Sequence, residues 1–168
     1  MFRTGDPVIH PVRGAGVVLG IEERQWRGSK DRYYKIQLLS QQGVTLMVPI
    51  DAADMLGLRR TISQSKLNQV WRVLHDDPRE LPSNHKKRYQ LLKDKLHAGD
   101  VFQVAEVVRD MTWRQRDSKL TTVGKRLYDE GLALLAGEIA ASQGIELNDA
   151  EVQITGQLGD LLGDIAAN

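Results

Sequence analysis

Near Leu58 the apolar residues of this chain change their spacing, and that change divides the fold. Before it they recur at alternate positions, the period of a strand with one buried face. Val17, Leu19 and Ile21 alternate after a turn spanning Pro11 to Gly16, and the β-rich runs RYYKIQLL and VTLMVPI follow. RQWRG reads as a turn between strands with Trp26 exposed in it, and Ser40 to Gly43 as a hairpin loop. Beyond Leu58 the period is that of a helix.

Ser63 is placed to cap a helix carrying Leu67, Val70, Trp71 and Leu74. Asn84 caps a second, with Tyr89, Leu92 and Leu96 on its apolar stripe, and Asp100 a third, with Val101, Val104, Ala105, Val108 and Met111. A fourth is expected over residues 122–143, with Leu127, Leu134, Leu135 and Ile139 apolar. Asn148 and Glu151 have capping-box spacing for a fifth that carries Ile154, Leu158, Leu161, Leu162 and Ile165. The expected class is therefore α+β: a small β-barrel of Tudor or SH3 type over residues 1–60, then an all-helical module of about five helices over 63–168. A unit of about 60 residues buries only ~60% of its unfolded surface, so the β module should lean on the helices. Gly156, Gly159 and Gly163 weaken a helix by about 1 kcal/mol each, so residues 147–168 are expected to fray unless docked.

Composition narrows the function classes. Hydrophobic residues at 41% and charged ones at 27% are globular proportions. The absence of cysteine excludes disulfides, thiolate metal sites and cysteine nucleophiles. No run approaches the ~18 apolar residues of a membrane span and the N-terminus has no signal-like apolar stretch, so no membrane contact and a cytoplasmic location are expected. No phosphate-cradling glycine loop opens a helix, and HExxH and nucleophile-elbow patterns are missing. The four histidines fall in different elements without ligand spacing. A non-enzyme is expected, with no cofactor, no metal and no small-molecule substrate.

The net charge of +1 conceals an asymmetry. All 23 Lys and Arg residues lie at or before Arg126, where 14 acids leave a surplus of nine, whereas residues 127–168 hold eight acids and no base. Such a body suggests an anionic partner. The stretch LPSNHKKRYQLL sharpens the point. Lys86, Lys87 and Arg88 crowd the first turn of a helix, where the macrodipole is positive and each cation costs roughly 0.3–1 kcal/mol. That placement is poor for stability and good for a phosphate backbone. Arg109, Arg114, Arg116 and Lys119 toward the end of the third helix, with Lys125 and Arg126 at the start of the fourth, make a second basic cluster, so a duplex-backbone footprint is expected.

The segments VPIDAADMLGLR, LPSNHKKRY, KLHAGDVFQVAEVVRDM and LTTVGKRL, in this order, resemble the CarD/CdnL family of bacterial transcription regulators over residues 2 to about 143. The resemblance implies a Tudor-like module that binds the β subunit of RNA polymerase, similar to the corresponding domain of transcription-repair coupling factors. It also implies a helical module that touches promoter DNA and stabilises the open complex. On that basis Arg24, Met47, Val48 and Pro49 face polymerase, Met47 standing where some members have an arginine. His85, Lys86, Lys87, Arg88, Lys125 and Arg126 face DNA through the minor groove and backbone, and His85 stands where well-known members have a tryptophan wedge. Two alternatives accompany this reading. One is a polymerase-binding adaptor with little DNA contact. The other is a Tudor-type RNA- or ribosome-associated module that stacks bases on Trp26 and Tyr33.

Overall fold

The computed structural model describes residues 1–166, and side-chain surroundings for residues 1–163. Strands β1 (Pro7–His10), β2 (Gly14–Trp26), β3 (Ser29–Leu38), β4 (Thr45–Pro49) and β5 (Arg59–Arg60) form one antiparallel sheet in the order β4-β3-β2-β1-β5. This is the β half of the expected α+β plan. β2 and β3 run far past their neighbours, because β4 ends opposite Tyr33 while β2 and β3 continue to the Trp26–Ser29 pair. Arg27 and Gly28 close that hairpin with φ of 48° and 81°, the left-handed pair a two-residue turn of the right twist requires.

Val8, Val18, Tyr34, Ile36, Val48, Ala53 and Leu58 form the core under the sheet. The alternation of Val17, Leu19 and Ile21 does not mark the buried face. A β-bulge between Val18 and Gly20 leaves Leu19 without a partner. It shifts the pleat, so Leu19 and Ile21 are exposed while Ala15 and Val18 are buried.

The helices are α1 (Gln64–His75), α2 (His85–Leu96), α3 (Val101–Arg116), α4 (Thr122–Gln143) and α5 (Leu147–Ala166). Side-chain oxygens of Ser63, Asn84, Asp100 and Thr121 accept from backbone N–H groups of the first turns, so each of the first four starts as its cap dictates. α4 ends at Gly144, whose φ of 66° gives the left-handed C-terminal stop. α5 departs from expectation. It begins at Leu147, before Asn148, and its first turn closes from the Ala150 N–H to the Glu146 carbonyl. Ile145 and Leu147 pack on the helical core and draw the start forward.

That core contains Leu67, Leu74, Leu92, Leu96, Val108, Met111, Leu135 and Ile139, all essentially inaccessible. Each such side chain contributes about 1.5–3 kcal/mol relative to exposure. α5 is docked on it through Ala150, Ile154 and Leu158. The Cα atoms of Gly156, Gly159 and Gly163 face open space, so the docked face is the glycine-free one. Ile165 lies outside the described side chains. No helix among the described residues is long and apolar enough to cross a membrane.

The β module leans on α4. A Cβ added at Gly137 would sit 3.1 Å from the Ala15 Cβ, so glycine lets this helix ride directly over β2 without displacing it. Leu39 at the end of β3 also packs against the helical core.

Candidate functional site

Two surfaces carry the sequence-predicted residues. The first is the outer face of the sheet. Arg24 of β2 pairs with Asp31 of β3, Tyr33 of β3 with Pro49 of β4, and Lys35 with Met47. Side chains alternate along strands, so Arg24, Tyr33, Met47 and Pro49 share one pleated face, and Trp26 continues it at the hairpin end. Val48 does not belong to it. Its side chain is 2% exposed in the sheet core, because it stands opposite Tyr34 on the inward register. Only its main chain is available, at a sheet edge where β4 pairs on one side with β3. The Arg24 guanidinium is exposed and donates to the Glu22 carboxylate at 3.0 Å.

The second surface is built from helix starts. His85, Lys86 and Lys87 occupy the exposed first turn of α2, and the Asn84 side chain accepts from the Lys87 N–H at 3.0 Å. Lys125 closes the first turn of α4 and Arg126 follows it, both exposed. The Tyr89 hydroxyl joins the two helices by a hydrogen bond to the hydroxyl of Thr121, the α4 cap. That bond, against a little burial and with Arg88 and Arg114 nearby, holds the Tyr89 phenol below its ordinary pKa. The rings of His85 and Tyr89 lie 6.2 Å apart. A cleft of about 470 Å³ opens beside the α4 start, lined by Gln115, Thr121, Thr122, Lys125 and Arg126 among others.

Arg88 has a different role from its two neighbours. It is buried, donates to the carbonyls of Pro82 and Ser83 at 3.2 and 3.1 Å, and lies over the Tyr89 ring. Position 88 is one turn before Leu92, so the helix turns it inward, and its charge ties down the segment entering α2. Arg109 likewise leaves the expected second cluster. It is 3% exposed, pairs with Asp110 at 2.9 Å and donates to the Val73 carbonyl. Asp110 also accepts from the Arg79 N–H, so this pair anchors the α1–α2 connection. Arg116 and Lys119 remain exposed, with the Arg116 guanidinium over the half-buried Trp113 ring at 5.2 Å. Among the described residues, no ion pair engages Lys86, Lys87, Lys125 or Arg126.

Sequence reasoning missed the group that fixes the two surfaces relative to one another. Glu138 of α4, buried, accepts from both terminal nitrogens of Arg59 and from the Ile62 N–H. Arg59 Nε donates to the Gly99 carbonyl at 2.8 Å. The Ser142 hydroxyl donates to the Ile62 carbonyl. The connection from β5 to α1 is thereby fastened to α4 and to the α2–α3 turn. No local pattern in the sequence pairs these residues.

Comparison with known proteins finds two family matches. Residues 2–62 match the family described as the CarD-like/TRCF RID domain, and residues 69–155 the family described as the CarD C-terminal domain. The chain is 28% identical over 145 residues to the Bacillus subtilis (strain 168) protein named "Putative transcription factor YdeB", covering 86% of this chain and 94% of that one. With both domains matched in order, one on the sheet and one on the helices, the chain belongs to the CarD family of transcription regulators.

Proposed function

We propose that this protein binds the β subunit of RNA polymerase through residues 1–60 and promoter DNA through residues 63–168, and so modulates the stability of the open promoter complex. The observation that carries the reading is the Tyr89–Thr121 bond, which brings two basic helix starts side by side on one body. Two N-termini with unpaired lysines make a phosphate-binding surface. On the polymerase side, Met47 and Pro49 belong to the edge strand β4, and Arg24 lies on the same pleated face two strands away. A β-augmentation there would draw affinity from main-chain bonds, with Val48 contributing backbone only. Pro49 ends the pairing because it cannot donate. Docking on polymerase supplies proximity, so weak DNA contacts act at high effective concentration. The mechanism is tethering, without covalent chemistry, and the protein is cytoplasmic and reaches the nucleoid with polymerase.

The test is a pull-down of polymerase β by the full chain and by Arg24→Glu, alongside promoter binding by the full chain and by Lys86→Ala/Lys87→Ala. The reading requires each variant to lose its own partner and keep the other. A second reading, a polymerase-binding adaptor with little DNA contact, is favoured by the inward turn of Arg88, which removes one of the expected phosphate ligands. Promoter binding indifferent to Lys86 and Lys87 would select it.

A further inference from the structure

The β2–β3 ribbon is longer than the module's fold requires. Beyond the Tyr33–Pro49 pair it has no third strand, and residues 23–32 are exposed on both faces. A two-stranded ribbon in water is marginal by itself, and this one returns no buried core for the ordering it costs. At its end Trp26 is 70% exposed, and among the described residues the one cation against its ring is Arg27, 5.9 Å from the centroid.

Trp26 continues the pleated face that holds Arg24, Tyr33 and Met47. We infer that Trp26 is an anchor of the polymerase-docking face, inserted by the ribbon into an apolar pocket of the β subunit that lies beyond the reach of β4. This rests on the polymerase reading and extends it. A large aromatic at a preordered turn loses little side-chain freedom on docking, and such residues dominate the energetics of protein interfaces.

The charge pattern selects a protein partner over a nucleic acid. On this face Arg24 and Lys35 are matched by Glu22 and Asp31, and Glu22 receives both Arg24 and Lys35. A phosphate backbone laid across it would meet two carboxylates, whereas a mixed rim around an aromatic is ordinary for a protein contact. Arg27 beside the ring also competes for the π-face that a base would need.

The experiment measures affinity of the full-length protein for core RNA polymerase, comparing wild type, Trp26→Ala, Trp26→Phe and Arg24→Glu, with thermal melting of each. Trp26→Ala is expected to weaken binding about thirtyfold, with the melting temperature unchanged and Trp26→Phe recovering part of the loss. If Trp26→Ala binds as wild type while Arg24→Glu is weakened, the anchor is overturned and the docking face stands. If neither variant is weakened, the polymerase reading falls and the anchor with it. If Trp26→Ala spares polymerase binding but abolishes binding to a single-stranded RNA oligomer, the ribbon is a base-stacking arm and the inference is wrong.

Discussion

Glu138 accepts both terminal nitrogens of Arg59, at 3.0 and 2.9 Å, across a sequence separation of 79 residues. The fork is bidentate, and the Ile62 N–H supplies a third donor, so a carboxylate with 3% side-chain exposure is fully engaged. It is also the place where the sheet and the helices become one body. The exposed sheet face and the basic helix starts draw part of their mutual geometry from this contact.

Glu138→Ala should cost about 3 kcal/mol in urea unfolding, because the Arg59 charge and the Ile62 N–H lose their acceptor inside the structure. Glu138→Gln should cost less, since one oxygen still accepts. Equal, small losses for both variants would mean that the contact is dispensable and that the remaining contacts, Gly137 on Ala15 and Leu39 on the helical core among them, hold the two modules together.

The helices were legible in the sequence because their signals are local. Ser63, Asn84 and Asp100 announce three starts, and the apolar spacing of α3 places each of its expected core residues correctly. Arg88 and Arg109, expected in exposed basic clusters, are buried because position outweighs residue type. Arg88 precedes Leu92 by one turn and Arg109 adjoins Val108, so spacing pointed inward while charge pointed out. Val48 likewise turns inward in its strand, since only its pairing with Tyr34 fixes the face. The bulge at Leu19 and the Arg59–Glu138 fork depend on partners far along the chain, and no periodicity encodes them.

Acid should loosen the α2–α3 contact. Burial alone would push the Glu106 carboxyl up, but the Lys95 ammonium at 2.6 Å, with Arg79 and Arg109 farther off, holds it below its ordinary range. A carboxyl depressed in the folded state stabilises above the unfolded value of ~4.3 and loses that contribution as pH falls through the lower folded one. Glu106→Gln should therefore flatten the melting temperature below about pH 4.5 and lower it at neutral pH. An unchanged acid profile would place the sensitivity elsewhere.

His10 gives a second step at higher pH. Its Nδ1 accepts from the Val12 and Arg13 N–H groups, which requires the unprotonated nitrogen. Burial first, and the Arg13 charge second, hold its pKa below the ordinary value. The unfolded chain thus binds the proton first, and the stability from this turn, full above about pH 6.5, is lost as pH falls through the folded-state value. His10→Asn keeps an acceptor oxygen without titrating. It should remove the drop in melting temperature that sets in below about pH 6.5 and leave the Glu106 step intact. A drop that persists in His10→Asn would assign it to another group.

Salt dependence separates the cations that face solvent from the one that does not. With Lys86, Lys87, Lys125 and Arg126 on phosphates, log K for promoter DNA should fall against log salt with a slope near −3.6. Lys86→Ala/Lys87→Ala should make it shallower by about 1.8. Arg88→Ala should leave the slope alone and instead cost about 1 kcal/mol of stability, as the Pro82 and Ser83 carbonyls lose their donor. If Arg88→Ala shallows the slope by about one unit, the guanidinium leaves those carbonyls for DNA.

Under the proposed DNA reading, His85 is the residue that separates a wedge from a simple grip. It begins α2 with its ring exposed, tilted 57° to Tyr89, and the cap Asn84 before it fixes the backbone. A tryptophan at this point would project a larger apolar surface from the same anchored turn. Inserting such a wedge offsets part of the few-kcal/mol cost of unstacking a base step. Imidazole is smaller and polar and offsets less of it. His85→Trp should accordingly lengthen the open-complex half-life on a promoter with polymerase present, and His85→Ala should shorten it, while binding to closed duplex changes little because the lysines are untouched. The measurement is the half-life of heparin-challenged open complexes for the three proteins. Three equal half-lives would make His85 a bystander and leave the lysines as the whole of the DNA contact. A gain for His85→Trp would show that the geometry for a wedge is intact and that this chain carries a milder residue in it.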